Sequence, residues 1–250
     1  FRPGAFMTGG VQPPQWVVGE VGAAALADRL NSCRQGSPAS CAATSSTLGA
    51  LPTTTPVVAT GSPSGHVFMR SADGALVVWN PIENVTVTED VADLVAGGDI
   101  LRGRPAVAQI DLAVGVPSQH RYLLALPYRD TSNDARLAIV AVTCARGQTL
   151  GACTFGATTP VTLGTNETFA GPVAIVSFGA RGFAVLAGVR SPATDALRAF
   201  LGTFELPSSA VTLAGTLDLD TFPSGSGALV DVAAAHLARA TQPSAISVVW

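Results

Sequence analysis

The sequence contains no lysine, and both charged and aromatic side chains are scarce. Its 14 basic residues are all arginine, only 12% of positions are charged, and the formal net charge is −3. The arginines are scattered, with no group denser than Arg102-Gly103-Arg104. A chain without a basic patch is not expected to bind nucleic acid. The missing lysine, together with abundant alanine, glycine and proline, is typical of a GC-rich bacterial genome.

The sequence also lacks a membrane-spanning segment, because no stretch of about 20 apolar residues is free of charge. The best candidate, residues 172–189, carries Arg181 near its middle and is interrupted by three glycines. This pattern predicts two buried strands joined by a turn. The chain starts at Phe1 without a basic leader or a signal peptide, so we expect a mature product or a fragment.

Apolar residues and turn formers are what the sequence has in quantity. Of its 250 residues, 48% are hydrophobic, 26 are glycine and 17 are proline. This is enough apolar material for a sizeable core, in one large β domain or in two smaller ones. The glycine and proline content favours many short strands joined by tight turns over long helices.

An internal repeat is visible first in two pairs of cysteines. Cys33 and Cys41 flank one polar turn, and Cys144 and Cys153 flank another. Cys41 and Cys153 lie 112 residues apart, which is two periods of 56. One repeat without cysteines therefore fits between the two pairs.

A second internal match covers more of the chain. Residues 122–143 align with residues 183–204, and each segment is an apolar run, a polar turn ending in Asp-Ala and another apolar run. An apolar run opened by Pro105 or Pro172 precedes each segment, and a Thr/Val-rich run follows. These runs predict four strands per repeat. The approximate units are residues 1–55 (partial), 56–104, 105–171, 172–227 and 228–250 (truncated).

A four-stranded unit of this size cannot bury both faces of its sheet alone, so neighbouring units must stack, either radially or in a linear array. Strands that are apolar on both faces favour the radial arrangement. We therefore predict an all-β fold, a β-propeller or part of one, with four-stranded blades of about 56 residues. Two short helices are the expected exceptions, one from an N-cap at Thr88 to the glycines at 97–98, and a weaker one at residues 23–30.

Several of these runs resemble the repeats of secreted bacterial β-propeller proteins, including the integrin-like FG-GAP group. They are the run from Pro105, the segment from Tyr122, and the Val-Val-Trp runs that end at Trp79 and Trp250. The resemblance implies a propeller outside the cytoplasm. The chain departs from the FG-GAP group because every unit lacks the calcium loop of alternating aspartates, so calcium binding is not carried over. We expect no cofactor and no metal.

The cysteines suit disulfides better than a metal site. Two short-range pairs in apolar hairpins predict the bonds Cys33–Cys41 and Cys144–Cys153, whereas metal ligation favours tighter spacing. Buried thiols and a four-cysteine zinc site are the alternatives. If the disulfides form, the protein belongs in an oxidising compartment, either secreted or in the periplasm or at the cell surface.

No catalytic constellation is visible among the histidines and serines. His66, His120 and His236 sit at unrelated points of their units without metal-ligand spacing, so we interpret them as surface or turn residues. The sequence has no Gly-x-Ser-x-Gly elbow. A Ser/His/Asp site would therefore need residues from distant blades.

Two groups of acidic residues deserve an interpretation. Glu89, Asp90 and Asp93 are interpreted as the solvated start of a helix, with a cation site as the alternative. Asp218 and Asp220 alternate on one side of a predicted strand, where they would form a glycosidase pair or a calcium site, although two carboxylates at this spacing are common in strands. The sequons at Asn84 and Asn166 are interpreted as chance matches.

These observations predict an extracytoplasmic propeller that binds or scaffolds a protein or glycan ligand through loops on one face. No catalytic residue, nucleic-acid partner or membrane span is expected. The alternatives are a hydrolase or lyase acting on polysaccharide, with acids near the central channel, and a purely structural array at the cell surface. Carboxylates from different blades that converge within about 5–10 Å would mark the enzyme.

Overall fold

The computed structural model describes residues 5–8, 15–20, 29–34, 58–59, 67–71, 73–80, 85–110, 119–145, 153–178, 181–205, 210–224, 232–237 and 245–249. Most of these residues lie in antiparallel β-strands. The one helix among them is a single turn, α1 (Val91–Leu94). The chain is therefore mostly β, as its composition predicts.

The described strands form five sheets that follow one another along the chain. The first sheet contains β1 (Ala5–Thr8), β2 (Gln15–Glu20) and β3 (Arg29–Arg34) in chain order. The second contains β4 (Val58–Ala59), β5 (Val67–Arg70), β6 (Leu76–Asn80) and β7 (Val85–Glu89), again in chain order.

The third sheet is centred on two long strands. Its strands are β8 (Gly98–Leu101), β9 (Ala106–Gln109), β10 (Gln119–Asp130), β11 (Ala135–Ala145), β12 (Cys153–Phe155) and β13 (Thr159–Pro160). β8 and β9 both pair with β10, and β12 and β13 both pair with β11. The two outer positions are thus each shared by two short strands.

The fourth sheet has four strands in chain order, and the fifth has two. The fourth contains β14 (Thr168–Phe178), β15 (Gly182–Arg190), β16 (Thr194–Phe204) and β17 (Val211–Pro223). The fifth contains β18 (Ala233–Leu237) and β19 (Ala245–Val249). The pairing of β14 with β15 confirms the buried hairpin that the sequence predicts at residues 172–189.

The aligned segments at residues 122–143 and 183–204 also fold as predicted. Each forms a hairpin, β10 with β11 and β15 with β16, and the polar turn lies between the two strands. Asp134 and Asp195, each followed by alanine, stand at the entry to the returning strand. Apolar runs on either side of an Asp-Ala turn therefore mark the central hairpin of the third and fourth sheets.

Two approximate unit borders need correction. Residues 98–101 were assigned to the second unit, but as β8 they pair with β10, where Leu101 lies opposite Tyr128. The border at 171 cuts through β14, which begins at Thr168, before the proline that was expected to open the run. Proline at 172 is tolerated there because the ladder is interrupted by a bulge between Ala170 and Val173.

Both helix predictions are also corrected. Thr88 is not an N-cap, because this β-branched residue continues β7 and pairs with Val77. Asp90 takes the N-cap position of the one-turn helix α1. In the second predicted helix, residues 29–30 belong to β3, whereas residues 23–28 lie outside the described part of the chain.

The third sheet buries both of its faces. Successive residues of a strand point to opposite sides, so one set from β10 and β11 packs against the fourth sheet and the other set against the second. The set facing Phe169, Phe183 and Phe200 is Leu123, Ala125, Leu137, Ile139 and Ala141. The set facing Phe68, Leu76 and Val78 is Tyr122, Leu124, Leu126, Ala138, Val140 and Val142. Each fully buried valine, leucine, isoleucine or phenylalanine side chain among them stabilises the fold by about 1.5–3 kcal/mol.

The second to fifth sheets stack in chain order, and strands β4, β9, β14 and β18 are central to that stacking. We call these four the leading strands. β9 contacts β4 on one side and β14 on the other, and β14 in turn contacts β18. A smaller core between the fourth and fifth sheets contains Leu186, Leu197 and Val232. Neighbouring sheets are therefore joined through their leading strands and through the apolar faces beside them.

Candidate binding face

One end of the sheets collects turns and connections. When antiparallel strands follow in chain order, the turn between the second and third strands lies at the same end as the connection that enters the first. The turns are those between β5 and β6, β10 and β11, and β15 and β16, and the connections lead from β7 to β9 and from β13 to β14. We call this end the turn face.

Short polar side chains cap each turn. The Ser71 hydroxyl oxygen accepts a hydrogen bond from the Ala75 N–H at 2.9 Å, and it also bonds the Asp73 carboxylate. One Asp130 carboxylate oxygen accepts from the N–H groups of Ser132 at 3.0 Å and Asp134 at 2.9 Å. Such local caps satisfy backbone donors that no strand partner reaches, so the turns are held in fixed conformations.

An arginine precedes the capping residue in all three turns. Arg129 donates to Asn133 Oδ1 at 2.8 Å, and Arg190 donates through two nitrogens to Asp195 at 3.0 and 3.1 Å. Arg70 and Arg190 occupy this position before Ser71 and Ser191, and the Ser191 hydroxyl oxygen accepts a hydrogen bond from the Thr194 N–H at 3.1 Å. This Arg-Ser or Arg-Asp pair, which was not predicted from the sequence, recurs at every described hairpin turn of the second, third and fourth sheets. It places one arginine per sheet at the turn face.

A β-bulge opens a cleft at this face between the third and fourth sheets. In β14 the register against β15 shifts between Ala170 and Val173, and Gly171 has a φ of 81°, which favours glycine. Opposite the bulge, β15 carries only Ala187 and Gly188. Because these residues are small, they leave a cavity of about 210 Å³.

The lining of this cavity combines an apolar floor with a basic rim. Its apolar side chains are those of Pro127, Ala135, Leu137, Phe169, Pro172, Val173 and Ala187. Arg102, Arg104 and Arg136 lie at its edge, and none of the lining residues is acidic. We call this cavity the Arg102 cleft.

Arg102 spans the cleft from one sheet to the next. It follows β8 in the third sheet, and its Nη1 donates a hydrogen bond of 3.0 Å to the carbonyl oxygen of Phe169 on β14. Within the described part of the chain, no carboxylate lies within ion-pair distance of this guanidinium. A guanidinium has five N–H donors, so this anchor leaves donors directed to other acceptors.

Two further cavities adjoin the Arg102 cleft. One of about 440 Å³ shares Arg136, Leu137 and Phe169 with it and extends towards Tyr128 and Glu167. The other, of about 180 Å³, shares Arg102 and reaches the Arg190–Asp195 pair. All three are lined by residues of the turn face, so three adjoining cavities lie at this end of the sheets.

Arg198 links two carboxylates beside the larger cavity. Its guanidinium contacts Glu167 at 2.7 Å and Asp218 at 2.5 Å. The hydrogen bonds that Arg198 donates to Glu167 lower the pKa of that carboxyl, and donating to Asp218 and Glu167 raises the pKa of Arg198. A carboxyl held ionised in this way is a poor proton donor. The predicted partner of Asp218, Asp220, is not part of this cluster, because a register shift in the pairing of β16 with β17 separates the two.

The structure joins Cys144 and Cys153 in a disulfide, which agrees with the predicted pairing. The two residues face each other across β11 and β12, with Cα atoms 4.0 Å apart. For the other predicted pair, Cys33 lies on β3 but its side chain is outside the description, and Cys41 lies outside the described residues.

Among the described residues, the remaining candidates do not come together as a site. The described residues contain no group of three or more His, Cys, Asp or Glu side chains placed to hold a metal ion. Glu89 ends β7, Asp90 occupies the N-cap position of α1 without a side-chain capping bond, and Asp93 lies in the first turn, so the predicted acidic helix start is present at a later position. Of the sequon asparagines, Asn166 lies in an exposed turn with a φ of 64°, and Asn84 lies outside the described residues.

The histidines also remain without an assigned role. His120 lies on β10 opposite Cys144, and His236 lies on β18 opposite Ile246, but their side chains are outside the description. His66 lies outside the described residues altogether.

Within the described part of the chain, no helix has the length and apolar character needed to cross a membrane. Comparisons with protein-family models, with curated proteins and with solved structures each found no match for this chain.

Proposed function

We propose that this protein is an extracytoplasmic β-propeller module that binds its ligand at the turn face. The observation that carries the proposal is the position of the three cavities, all of which are lined by turns and sheet connections at one end of the sheets. Loops at one face of a rigid β scaffold are where propellers and similar folds commonly carry their binding residues.

The stacking of the sheets supports the propeller. The leading strands contact one another in succession, β4 with β9, β9 with β14, and β14 with β18. In a propeller, the first strand of each blade lies next to the first strand of the following blade around a central axis. The third sheet is apolar on both faces, as a blade between two neighbours must be.

The Cys144–Cys153 disulfide supports a location outside the cytoplasm. Disulfides persist in the periplasm, at the cell surface and in secreted proteins, whereas cytosolic thiols are kept reduced. An exported binding module would meet its ligand in the same compartment.

The binding function is tested with purified acidic and neutral polysaccharides and with peptidoglycan fragments in a sedimentation assay. We expect the protein to co-sediment with at least one polymer, with no release of reducing ends or unsaturated sugars. Substituting Thr131, exposed on the turn face, by Trp is expected to block binding, whereas the same change at Thr212 on β17 is not. Product release would favour the polysaccharide hydrolase or lyase, and the absence of any binding would favour the structural array.

A further inference from the structure

We infer that the Arg102 cleft binds a carboxylate carried on a compact apolar body, such as an aromatic or branched aliphatic acid. This inference deepens the proposed function and rests on it, because it names the ligand class for one part of the turn face. The carboxylate would lie on the guanidinium of Arg102, and the apolar body would lie on the floor formed by Leu137, Phe169 and Val173.

The charge at the rim selects an anion. Arg102 is anchored by the Phe169 carbonyl, which fixes the guanidinium at the mouth of the cleft instead of leaving it to move in solvent. A guanidinium held in this way presents paired donors that match the two oxygens of a carboxylate. Arg104 adds a second cationic side chain to the lining, whereas the charge of Arg136 is offset by its ion pairs with Asp130 at 2.9 Å and Asp134 at 3.0 Å. Arg102 is therefore the cation that would meet the anion, and the lining itself contains no carboxylate.

The floor selects an apolar body over a sugar. A sugar ring needs polar partners for its hydroxyl groups, and a hydroxyl buried without a partner costs about 1–3 kcal/mol. Apart from the three arginines at the rim, the cleft is lined by apolar side chains and glycines. Its walls therefore offer a sugar few partners below the rim.

The size of the cleft sets an upper limit on that body. Its volume is about 210 Å³, and an apolar cavity of about 150 Å³ is enough to hold benzene. A six-membered ring with a carboxylate, or the C-terminal residue of a peptide, has the required size. These two sources share one chemistry, and the test below separates them.

The probes are benzoate, its neutral counterpart benzamide, N-acetyl-leucine as a mimic of a peptide C-terminus, and galacturonate as a polar acid. Binding to the full chain is followed by ligand-observed NMR and isothermal titration calorimetry. We expect benzoate or N-acetyl-leucine to bind with a millimolar Kd, as suits about ten non-hydrogen atoms, and benzamide and galacturonate to bind at least tenfold more weakly. The tighter of the first two identifies the source of the carboxylate.

Arg102→Met is the test variant, because it keeps the length and the apolar stem of an exposed side chain and removes the donors. It is expected to weaken benzoate binding at least tenfold. Arg181→Met is the matched control, since Arg181 is exposed at the opposite end of the fourth sheet, and its Kd should stay within twofold of the wild type. Equal losses in both variants, or galacturonate binding as tightly as benzoate, would overturn the inference.

The inference and the proposed function can fail separately. If no small acid binds but a polymer still sediments with the protein through the turn face, the ligand class is wrong and the binding function stands. If small acids bind with the expected dependence on Arg102 while no polymer binds, the cleft is a site for free acids. Binding of a polymer at the turn face is then ruled out.

Discussion

The third and fourth sheets share one hairpin pattern but hold their outer strands in different ways. In the third sheet, β12 is only three residues long, and the Cys144–Cys153 disulfide joins it to β11. In the fourth, β17 runs for 13 residues along β16, and Arg198 reaches across to Asp218. A short strand forms few ladder hydrogen bonds, so a covalent link replaces them, whereas a long strand is held by the ladder itself. The repeat therefore fixes the central hairpin and leaves the outer strand to vary.

Removing the disulfide should have the largest effect. Replacing both Cys144 and Cys153 by alanine is expected to cost about 2.5 kcal/mol, because the unfolded chain regains the entropy of a loop of nine residues. Urea unfolding without reductant measures the loss. This variant keeps only Cys33 and Cys41, so any further change of the unfolding midpoint on adding reductant is due to a bond between those two residues. An unchanged unfolding midpoint in the variant would show that the ladder holds β12 without the covalent link.

The fourth sheet should instead be sensitive to close packing between β16 and β17. A Cβ at Gly202 would overlap the buried ring of Phe183 and would lie 2.6 Å from the Thr212 carbonyl oxygen. Gly202→Ala is therefore expected to destabilise the fold by about 1–3 kcal/mol. Gly215→Ala on the facing strand is the control, since nothing lies within 4 Å of its Cβ position. Equal thermal midpoints for the two variants would contradict this account.

The Arg198 cluster should make the fourth sheet sensitive to acid. The pKa of Glu167 is held below its ordinary value of 4.5, mainly by Arg198, so its contribution to stability is fully present above that pH. As the pH falls below 4.5, the carboxyl of Glu167 is protonated in the unfolded chain before it is protonated in the folded one. Its contribution to stability therefore decreases as the pH falls and is gone once the folded carboxyl is protonated as well. Glu167→Gln is expected to lower the thermal midpoint at pH 7, by about 1 kcal/mol in stability, and to approach the wild type as the pH is lowered below 4.5. If the stability of the two proteins changes in parallel with pH, Glu167 does not contribute to the acid sensitivity of the fourth sheet.

The smallest effect is expected for the exposed pair Arg190–Asp195. The arginine side chain is 49% exposed, so solvent screens the interaction, and Arg190→Gln should cost no more than about 0.2–1 kcal/mol. Chemical denaturation at low and at high salt measures it, and the difference from the wild type should shrink as salt is added. If Arg190→Gln lowered the free energy of unfolding as much as the disulfide variant does, the turn arginines would be a main source of the stability of the sheets.

The sequence was informative where the signal is local. The hairpin centres follow from apolar runs that flank an Asp-Ala turn, and the Cys144–Cys153 pair follows from its position across one turn. The Arg102 cleft could not be predicted in this way, because its rim and floor come from distant points such as 102, 137, 169 and 188. The same holds for the contact between Arg198 and Glu167, which are 31 residues apart and meet only when the sheet connection folds back.

The lengths of the outer strands could not be predicted from the sequence either. The Thr/Val-rich runs predicted a fourth strand in each unit, but they did not distinguish the three residues of β12 from the 13 of β17. An outer strand is half exposed, so its polar and apolar residues are less regular than those of a strand buried on both faces. The exposed Leu217 and Leu219 on β17 are an example.

We propose that the sheets fan out from their leading strands as blades, with the turn face at one end. Electron paramagnetic resonance distances between the second and fourth sheets test it directly, with labels on unnatural amino acids so that the native cysteines are untouched. One pair is placed on leading strands at positions 59 and 174, and the other on outer strands at the exposed Thr88 and Thr216. We predict that the outer pair is farther apart than the inner pair by more than about 10 Å, the spacing of one packed sheet. Two equal distances near about 20 Å would indicate a linear stack and contradict the propeller.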